Sequence, residues 1–312
     1  MNQISQAIDV AIIGAGPAGL AAALWCSELG LKAMLIEREN EAGGQLSLIH
    51  GPITNYLGLD VANGDELRKN FLQHIETIDV QRSFGCGVTR ADLTAKKIVL
   101  SDVESYSPRA IVIATGVRRK RLGVVGEDEF QGRGMLLSGV AEKEKVRGKT
   151  VLIVGGGDAA VENALILSEF AEKVILVHRR EALSARNEFV EAAERRQNVR
   201  VELNRVVTAI GGDERVETVS LSALKTDENI AVAADAVLIR IGVIPNSELF
   251  VGQLEVDDRG YIRVDANCMT NCPGVFAIGD VANPASPTIS TAVGMAANAS
   301  KSIIRWLKDD VH

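Results

Sequence analysis

Cysteine is scarce. The 312 residues hold four, Cys26, Cys86, Cys268 and Cys272, and no two stand in a C-x-x-C or a paired zinc-ligand spacing. The count excludes a disulfide scaffold, and the spacing argues against redox chemistry by a vicinal pair. Aromatic residues are few at 4% and prolines number seven, while 46% of the chain is hydrophobic, a globular composition that is neither collagen-like nor disordered. Positive charge is not in surplus: 34 Lys and Arg against 41 Asp and Glu leave a formal charge of −7. That balance argues against a nucleic-acid footprint and favours small molecules or proteins as partners. Long hydrophobic runs are also missing. The uncharged stretch from Val10 to Cys26 falls short of the roughly 20 residues of a membrane span and is broken by three glycines and a proline. Met1 to Asp9 carries no Lys or Arg, so it lacks the positive start of a secretory signal, and a soluble cytoplasmic protein is expected.

What is abundant is glycine, at 29 positions, and its placement repeats once. Asp9-Val-Ala-Ile-Ile-Gly14-Ala-Gly16-Pro17-Ala18-Gly19 reads as an apolar strand, a glycine turn and the start of a small-residue helix, Leu20 to Leu29. Lys149-Thr-Val-Leu-Ile-Val-Gly155-Gly156-Gly157-Asp158-Ala159-Ala160 is the same device. A second apolar strand follows each, Lys32 to Ile36 and Lys173 to Val177, so each copy is a βαβ unit of about 30 residues. The first glycine lets the chain turn, the second lets backbone approach a pyrophosphate, and the third, or Ala160, lets helix pack on strand. The helix start then offers N–H groups and a positive dipole end to phosphates. At about 100–200 residues per domain, the length accommodates two such domains.

The residue closing each second strand faces the adenosine ribose. In the first copy it is Glu37, whose carboxylate accepts from ribose hydroxyls and repels a 2′-phosphate, which suits FAD or NAD. In the second copy the same offset lands on His178, followed by Arg179 and Arg180. Two guanidinium groups match a 2′-phosphate, so NADPH is expected there, with NADH as the alternative. Gly43-Gly44-Gln45-Leu46 is a backbone-exposing turn, Ala110 to Gly116 a buried strand ending in a small-residue turn, and Gly274 to Asp280 another strand and turn before an apolar helix from about Thr291 to Leu307. An acid following a strand-ending glycine, as Asp280 follows Gly279, is suited to accept from a ribityl hydroxyl.

Taken in order, Gly14-Ala-Gly16-Pro-Ala-Gly19, Gly43-Gly44-Gln45, Ala114-Thr115-Gly116, Gly155-Gly156-Gly157-Asp158, His178-Arg179-Arg180, Ile241-Gly242 with Pro245-Asn246, and Gly279-Asp280 resemble the low-molecular-weight thioredoxin reductase family over nearly the whole chain. The resemblance implies an α/β fold of two Rossmann-like, three-layer ββα domains: an FAD domain of residues 1–119 and 246–312, and an NAD(P)H domain of residues 120–245 inserted in it. It implies a homodimer, and hydride transfer from the nicotinamide to the flavin. It also points Asn55, Val88, Thr291 and Ala292 toward the flavin nucleotide, together with Gly44, Gln45, Thr115, Gly116, Gly279 and Asp280, and places Ile241 and Gly242 at the nicotinamide nucleotide.

Departures from that pattern carry as much information. Where the family has Cys-x-x-Cys-Asp, the interval Met135 to Val146 reads Ser138-Gly-Val-Ala141-Glu142, and neither a hydroxyl nor a methyl group exchanges with disulfides. Thioredoxin reduction by the usual route is therefore excluded, and flavin electrons are expected to leave to an external acceptor: a ferredoxin- or flavodoxin-like carrier, a quinone or dioxygen. A non-turnover FAD- and NADP-binding sensor, and a reductase using a displaced pair Cys268/Cys272, are the alternatives. Glu142 is either a proton donor near the flavin or part of a charged turn, Glu-Lys-Glu-Lys. The family's third phosphate-binding arginine is Ser184 here, which leaves Arg186 as its possible substitute. The run Arg118-Arg-Lys-Arg121 is either a docking patch for an acidic electron carrier or a solvated linker. Only Lys-Asp-Asp-Val-His follows Leu307, without the flavin-covering extension usual in ferredoxin–NADP reductases of this type.

Overall fold

The computed structural model describes residues 8–101, 103–226 and 228–309; the amino-terminal residues 1–7, read above for a leader, and the last three of the tail lie outside it. The chain divides into two compact units, Met1–Arg118 with Ile244–His312, and Arg119–Val243.

The first unit is built on a parallel five-stranded sheet in the order Val275–Ala277, Ala110–Ile113, Val10–Ile13, Ala33–Ile36 and Gln81–Ser83. Its four apolar strands are buried along their whole length, as expected where both faces of a parallel sheet are covered. The alternation is visible residue by residue. Val10 and Ile12 join the cluster that includes the helices Pro17–Glu28 and Ile289–Asp309, while Ala11 and Ile13 join Leu93, Ile98 and Leu100 on the opposite face. Those last residues belong to a loop and a small antiparallel sheet, Val88–Asp92, Lys97–Leu100 and Ser105–Tyr106, which completes three layers. The first helix begins at Pro17, three residues before the expected Leu20, because a proline at the first helical position has its φ already set and loses no needed N–H.

The second unit repeats the plan. Its parallel sheet runs Val199–Leu203, Lys173–His178, Thr150–Val154, Ala236–Ile239, Met135–Leu136. The helices Asp158–Ser168 and Asn187–Glu194 lie on one face and the antiparallel sheet Arg205–Gly211, Thr218–Ala223 and Asn229–Ala233 on the other. The strands at the two crossings, Val117–Arg119 and Val243–Pro245, pair as a two-stranded sheet. On the first unit's side, Asn246 fastens this ribbon by donating from Nδ2 to the Thr115 carbonyl at 2.8 Å and from its N–H to the Gly116 carbonyl at 2.9 Å. No helix among the described residues is long and apolar enough to cross a membrane.

Candidate functional site

The two glycine turns owe their shape to the same constraint. Gly14 has φ +105° and a Cβ there would stand 2.4 Å from the Ala114 carbonyl oxygen; Gly155 has φ +149° and its Cβ would stand 2.2 Å from the Arg240 carbonyl oxygen. Each turn is thus pressed against the next parallel strand, and only glycine fits both the backbone angle and the space. In both copies the helix that follows has no side-chain cap, so its first N–H groups are left to other acceptors.

In the second unit these features converge on a cavity of about 610 Å³. Gly155, Gly157, Asp158 and Ala159 line it beside His178, Arg179 and Arg180, and Ile241 with Gly242 close another side. Ala160 is not at the cavity; it is fully buried and packs helix on sheet. Four lining cations were not assigned here from sequence: Lys120 and Arg121, read above as part of a docking run or linker, and Arg205 and Arg240. Arg240 leaves a trace in the sequence, as a charge interrupting the apolar run Ala236 to Ile241. Arg205 leaves none, because Asn204, with φ +56° and its N–H on the Arg180 carbonyl, turns the chain back beside Arg180. Arg179 and Arg180 are exposed and have no ion-pair partner among the described residues. His178 is 9% exposed, and burial first, then the Arg180 and Arg179 charges, hold it below the usual imidazole value. Its Nε2 and Arg205 Nη1 are the two buried side-chain nitrogens left without a partner among the described residues, and both residues line this cavity. The unpaired buried Arg205 donor beside the exposed Arg179 and Arg180 guanidiniums suits a phosphate-bearing ligand.

Arg186 does not serve there. It is not part of the cavity lining: its N–H and Nε donate to the Asp158 carboxylate at 2.7 and 3.0 Å, its Nη1 pairs with Glu188 at 2.8 Å, and its guanidinium stacks 4.3 Å over Phe189. The substitute expected for the third phosphate arginine is therefore tied elsewhere.

In the first unit, Glu37 follows its strand and accepts from the Ala15 N–H at 2.8 Å and the Glu39 N–H at 3.1 Å, one on each oxygen, which leaves further lone pairs for a ligand hydroxyl. The turns at Gly16 and Gly44 meet backbone to backbone, so that a Cβ on Gly44 would stand 3.0 Å from Gly16 Cα; Gly116 lies near the Gln45 amide. Ala18, Gly279 and Ala292 form a second close approach, since a Cβ on Gly279 would meet Ala18 Cβ at 2.8 Å. Beside it the Asp280 carboxylate makes no hydrogen bond or ion pair among the described residues, and burial holds it above the usual carboxylate range. A cradle without side chains, ending in an unpaired half-buried acid, fits a hydroxyl-rich dinucleotide such as FAD. Thr115 and Thr291 are used locally, Thr115 Oγ1 on the Asn246 carbonyl at 2.7 Å and Thr291 on Thr288 at 2.8 Å. Asn55 is exposed, and Val88 packs on the cluster beneath the small antiparallel sheet.

Where the resemblance places the family's disulfide, Ser138 caps the short helix Gly139–Glu142, its Oγ accepting from the Ala141 N–H at 3.3 Å. Glu142 is part of the same turn. Its carboxylate accepts from Leu137 N–H at 2.7 Å, Ser138 N–H at 2.9 Å and Lys145 Nζ at 3.1 Å, contacts that outweigh partial burial and hold it ionised below the usual range. Cys268 and Cys272 do not form a pair. Cys268 is buried on the helix side of the sheet, where Asn298 reaches its sulfur and burial pushes the thiol up; Cys272 packs on the other face and donates to the Leu93 carbonyl. The basic run is similarly divided: Arg118 pairs with Glu248, Arg119 donates to the Leu137 carbonyl, and Arg121 pairs with Glu127 and Asp128, so three of its four cations are engaged within the chain.

Two dinucleotide-type units, one carried within the other and each opened by a glycine turn at a helix start, define an oxidoreductase that joins two nucleotide cofactors. The chain belongs to the pyridine nucleotide-disulphide oxidoreductase family, whose signature matches residues 8–299. It is similar to the thioredoxin reductase of Listeria innocua, 34% identical over 302 residues that cover 96% of this chain and 94% of the relative, and to that of Bacillus subtilis, 33% identical over 302 residues with 96% and 95% covered. Among solved structures, Lactococcus lactis thioredoxin reductase superimposes with a TM-score of 0.83 at 32% identity, covering 97% of this chain and 99% of that one. The T. acidophilum thioredoxin reductase gives 0.80 at 30% identity, covering 99% of this chain and 100% of that one.

Proposed function

We propose that this chain is an FAD-dependent NADPH oxidoreductase that passes electrons to an acceptor outside the chain rather than through an internal disulfide, and that it works as the homodimer the family resemblance implies. The observation that carries the reading is that the chain holds no C-x-x-C and has Ser138 and Ala141 where the resemblance places the family's cysteine pair, the serine hydroxyl capping a helix. When bound, FAD would supply the redox chemistry, that of a hydride acceptor able to pass electrons on. The chain's own contribution is position and electrostatics. Arg179 and Arg180 hold the 2′-phosphate of NADPH, and the glycine turn at Gly155 to Gly157 gives the pyrophosphate close backbone approach. Glu37 orients the adenosine ribose of FAD and Asp280 its ribityl chain, while Gly14 to Gly19 address its phosphates.

Stopped-flow mixing of the purified flavoprotein with NADPH under anaerobic conditions tests this reading. Rapid loss of the oxidised flavin absorbance is expected. If neither NADPH nor NADH bleaches the flavin, the chain is a nucleotide-binding sensor instead. A screen of ferredoxin, flavodoxin, quinones, thioredoxin, small disulfides and dioxygen against the reduced protein then identifies the acceptor; turnover of thioredoxin at the rate of flavin reduction overturns the proposal.

A further inference from the structure

Arg119 and Arg240 stand together for no reason that the second unit's packing explains. Arg240 Nη2 donates to the Leu137 carbonyl at 3.0 Å and its Nη1 to the Ile239 carbonyl at 2.9 Å, while Arg119 Nη1 donates to the same Leu137 carbonyl. Two guanidiniums therefore share one oxygen, at the residue before Ser138. Both are half-buried, and neither has an ion-pair partner among the described residues. The carboxylate that faces them is Glu142, and it is already engaged by two backbone N–H groups and Lys145. Burial and then the facing Arg119 charge pull Arg240 down to about 10, against a weaker opposing pull from Glu142. Of the ten N–H bonds the two groups carry, three are used by the carbonyls above. Arg240 also lines the cavity, next to Ile241, Gly242 and Lys120. Two like charges held together, one of them lining the cavity, with donors to spare and the one facing carboxylate already engaged by other groups, are arranged for an anion from outside.

We propose that Arg119 and Arg240 form an oxyanion-binding pair at the junction of the cavity and the Ser138–Glu142 turn, which receives a phosphate or carboxylate of a small-molecule ligand. Two sources carry that chemistry: the pyrophosphate of the pyridine nucleotide, or an acidic group on a separate organic acceptor. The assignment deepens the function proposed above, since it names the charge of the group held where relatives of this pattern carry their disulfide.

The test is calorimetric titration of the oxidised, flavin-loaded protein and of its Arg119→Met and Arg240→Met variants. The probes are inorganic pyrophosphate, NADP+, an anthraquinone carboxylate and the uncharged parent anthraquinone. Because binding is read without turnover, the result is independent of whether NADPH bleaches the flavin. In each variant, affinity for an anionic probe is expected to fall about tenfold or more, with binding of the uncharged quinone unchanged. Parallel losses for pyrophosphate and NADP+ assign the pair to the dinucleotide; a loss confined to the carboxylate probe assigns it to a separate acceptor. Wild-type protein that binds no anionic probe, or variants that bind every probe within twofold of wild type, overturn the proposal and leave the pair as a brace for the Leu137 carbonyl. Should Arg240→Met not fold, Arg240→Lys replaces it: the retained charge without the planar fork is expected to recover only part of the affinity, and Arg119→Met carries the test of loss.

Discussion

Arginine and aspartate, more than any reactive side chain, set the chemistry of this protein at the scale of single residues. Arg179 has no ion-pair partner among the described residues, so its charge is available to a ligand. Arg179→Glu is expected to weaken NADPH binding by about tenfold or more and to leave NADH almost unaffected, as measured by equilibrium titration; an equal loss for both removes the 2′-phosphate contact. Asp280 works in the opposite sense. Its folded carboxyl lies above its unfolded value because of burial, so its ionisation costs stability, a cost that sets in as pH rises from the usual carboxylate range through the raised value and is complete above it. Asp280→Asn is therefore expected to raise the melting temperature of the flavin-stripped protein at pH 7 while loosening flavin retention, read as flavin fluorescence released on dilution. A lower melting temperature for the stripped variant contradicts this account. The cysteines are bystanders by the same reasoning. Cys26 is pushed up to about 11, chiefly by burial, and Cys268 and Cys272 face opposite sides of a sheet. Replacing both Cys268 and Cys272 by Ser should leave turnover unchanged with every accepted oxidant.

At the scale of elements, the short helix Gly139–Glu142 gives a structural role to residues that the resemblance sets at a redox position. Ser138 and Ala141 occupy the cap and third positions of a helix whose amino terminus favours negative charge, a setting that lowers a thiol's pKa. Restoring cysteine at both, Ser138→Cys with Ala141→Cys, is expected to create a disulfide that takes up about one additional equivalent of NADPH per chain in an anaerobic titration, since a disulfide accepts two electrons. No additional uptake means that the turn no longer holds the geometry a disulfide needs. The βαβ units themselves were legible from residues alone, because Gly14 and Gly155 sit where a strand must turn sharply into a helix, and apolar runs flank both. The helix starts were less legible. Pro17 begins the first helix although it reads as part of the turn, and His178 ends a strand that the apolar pattern stops at Val177.

For the whole molecule, the two units differ in continuity. Arg119–Val243 is one unbroken segment with its own clusters on both faces of its sheet, whereas the first unit is assembled from two separated segments. A fragment of residues 119–243 is accordingly expected to unfold cooperatively and to retain binding of 2′,5′-ADP, checked by calorimetry; a fragment without a thermal transition shows that the segment depends on the rest of the chain. Net charge also changes meaning at this scale. The formal charge of −7 argued against a nucleic-acid footprint, yet Lys120, Arg121, Arg179, Arg180, Arg205 and Arg240 meet at one cavity, because an average over the chain says nothing of where the cations gather.

The order of glycine turns, the acid at Glu37, the arginines after His178 and the absence of a C-x-x-C spacing are local facts, set by backbone angles and side-chain chemistry within a few residues, and sequence alone determined them. Tertiary structure decided which charges remain free. It tied Arg186 to Asp158 and Arg118 to Glu248, and it brought Arg205 and Arg240 to the cavity from positions far apart in the chain. Pairing between distant charges depends on the path of the backbone between them, and no local pattern records that path.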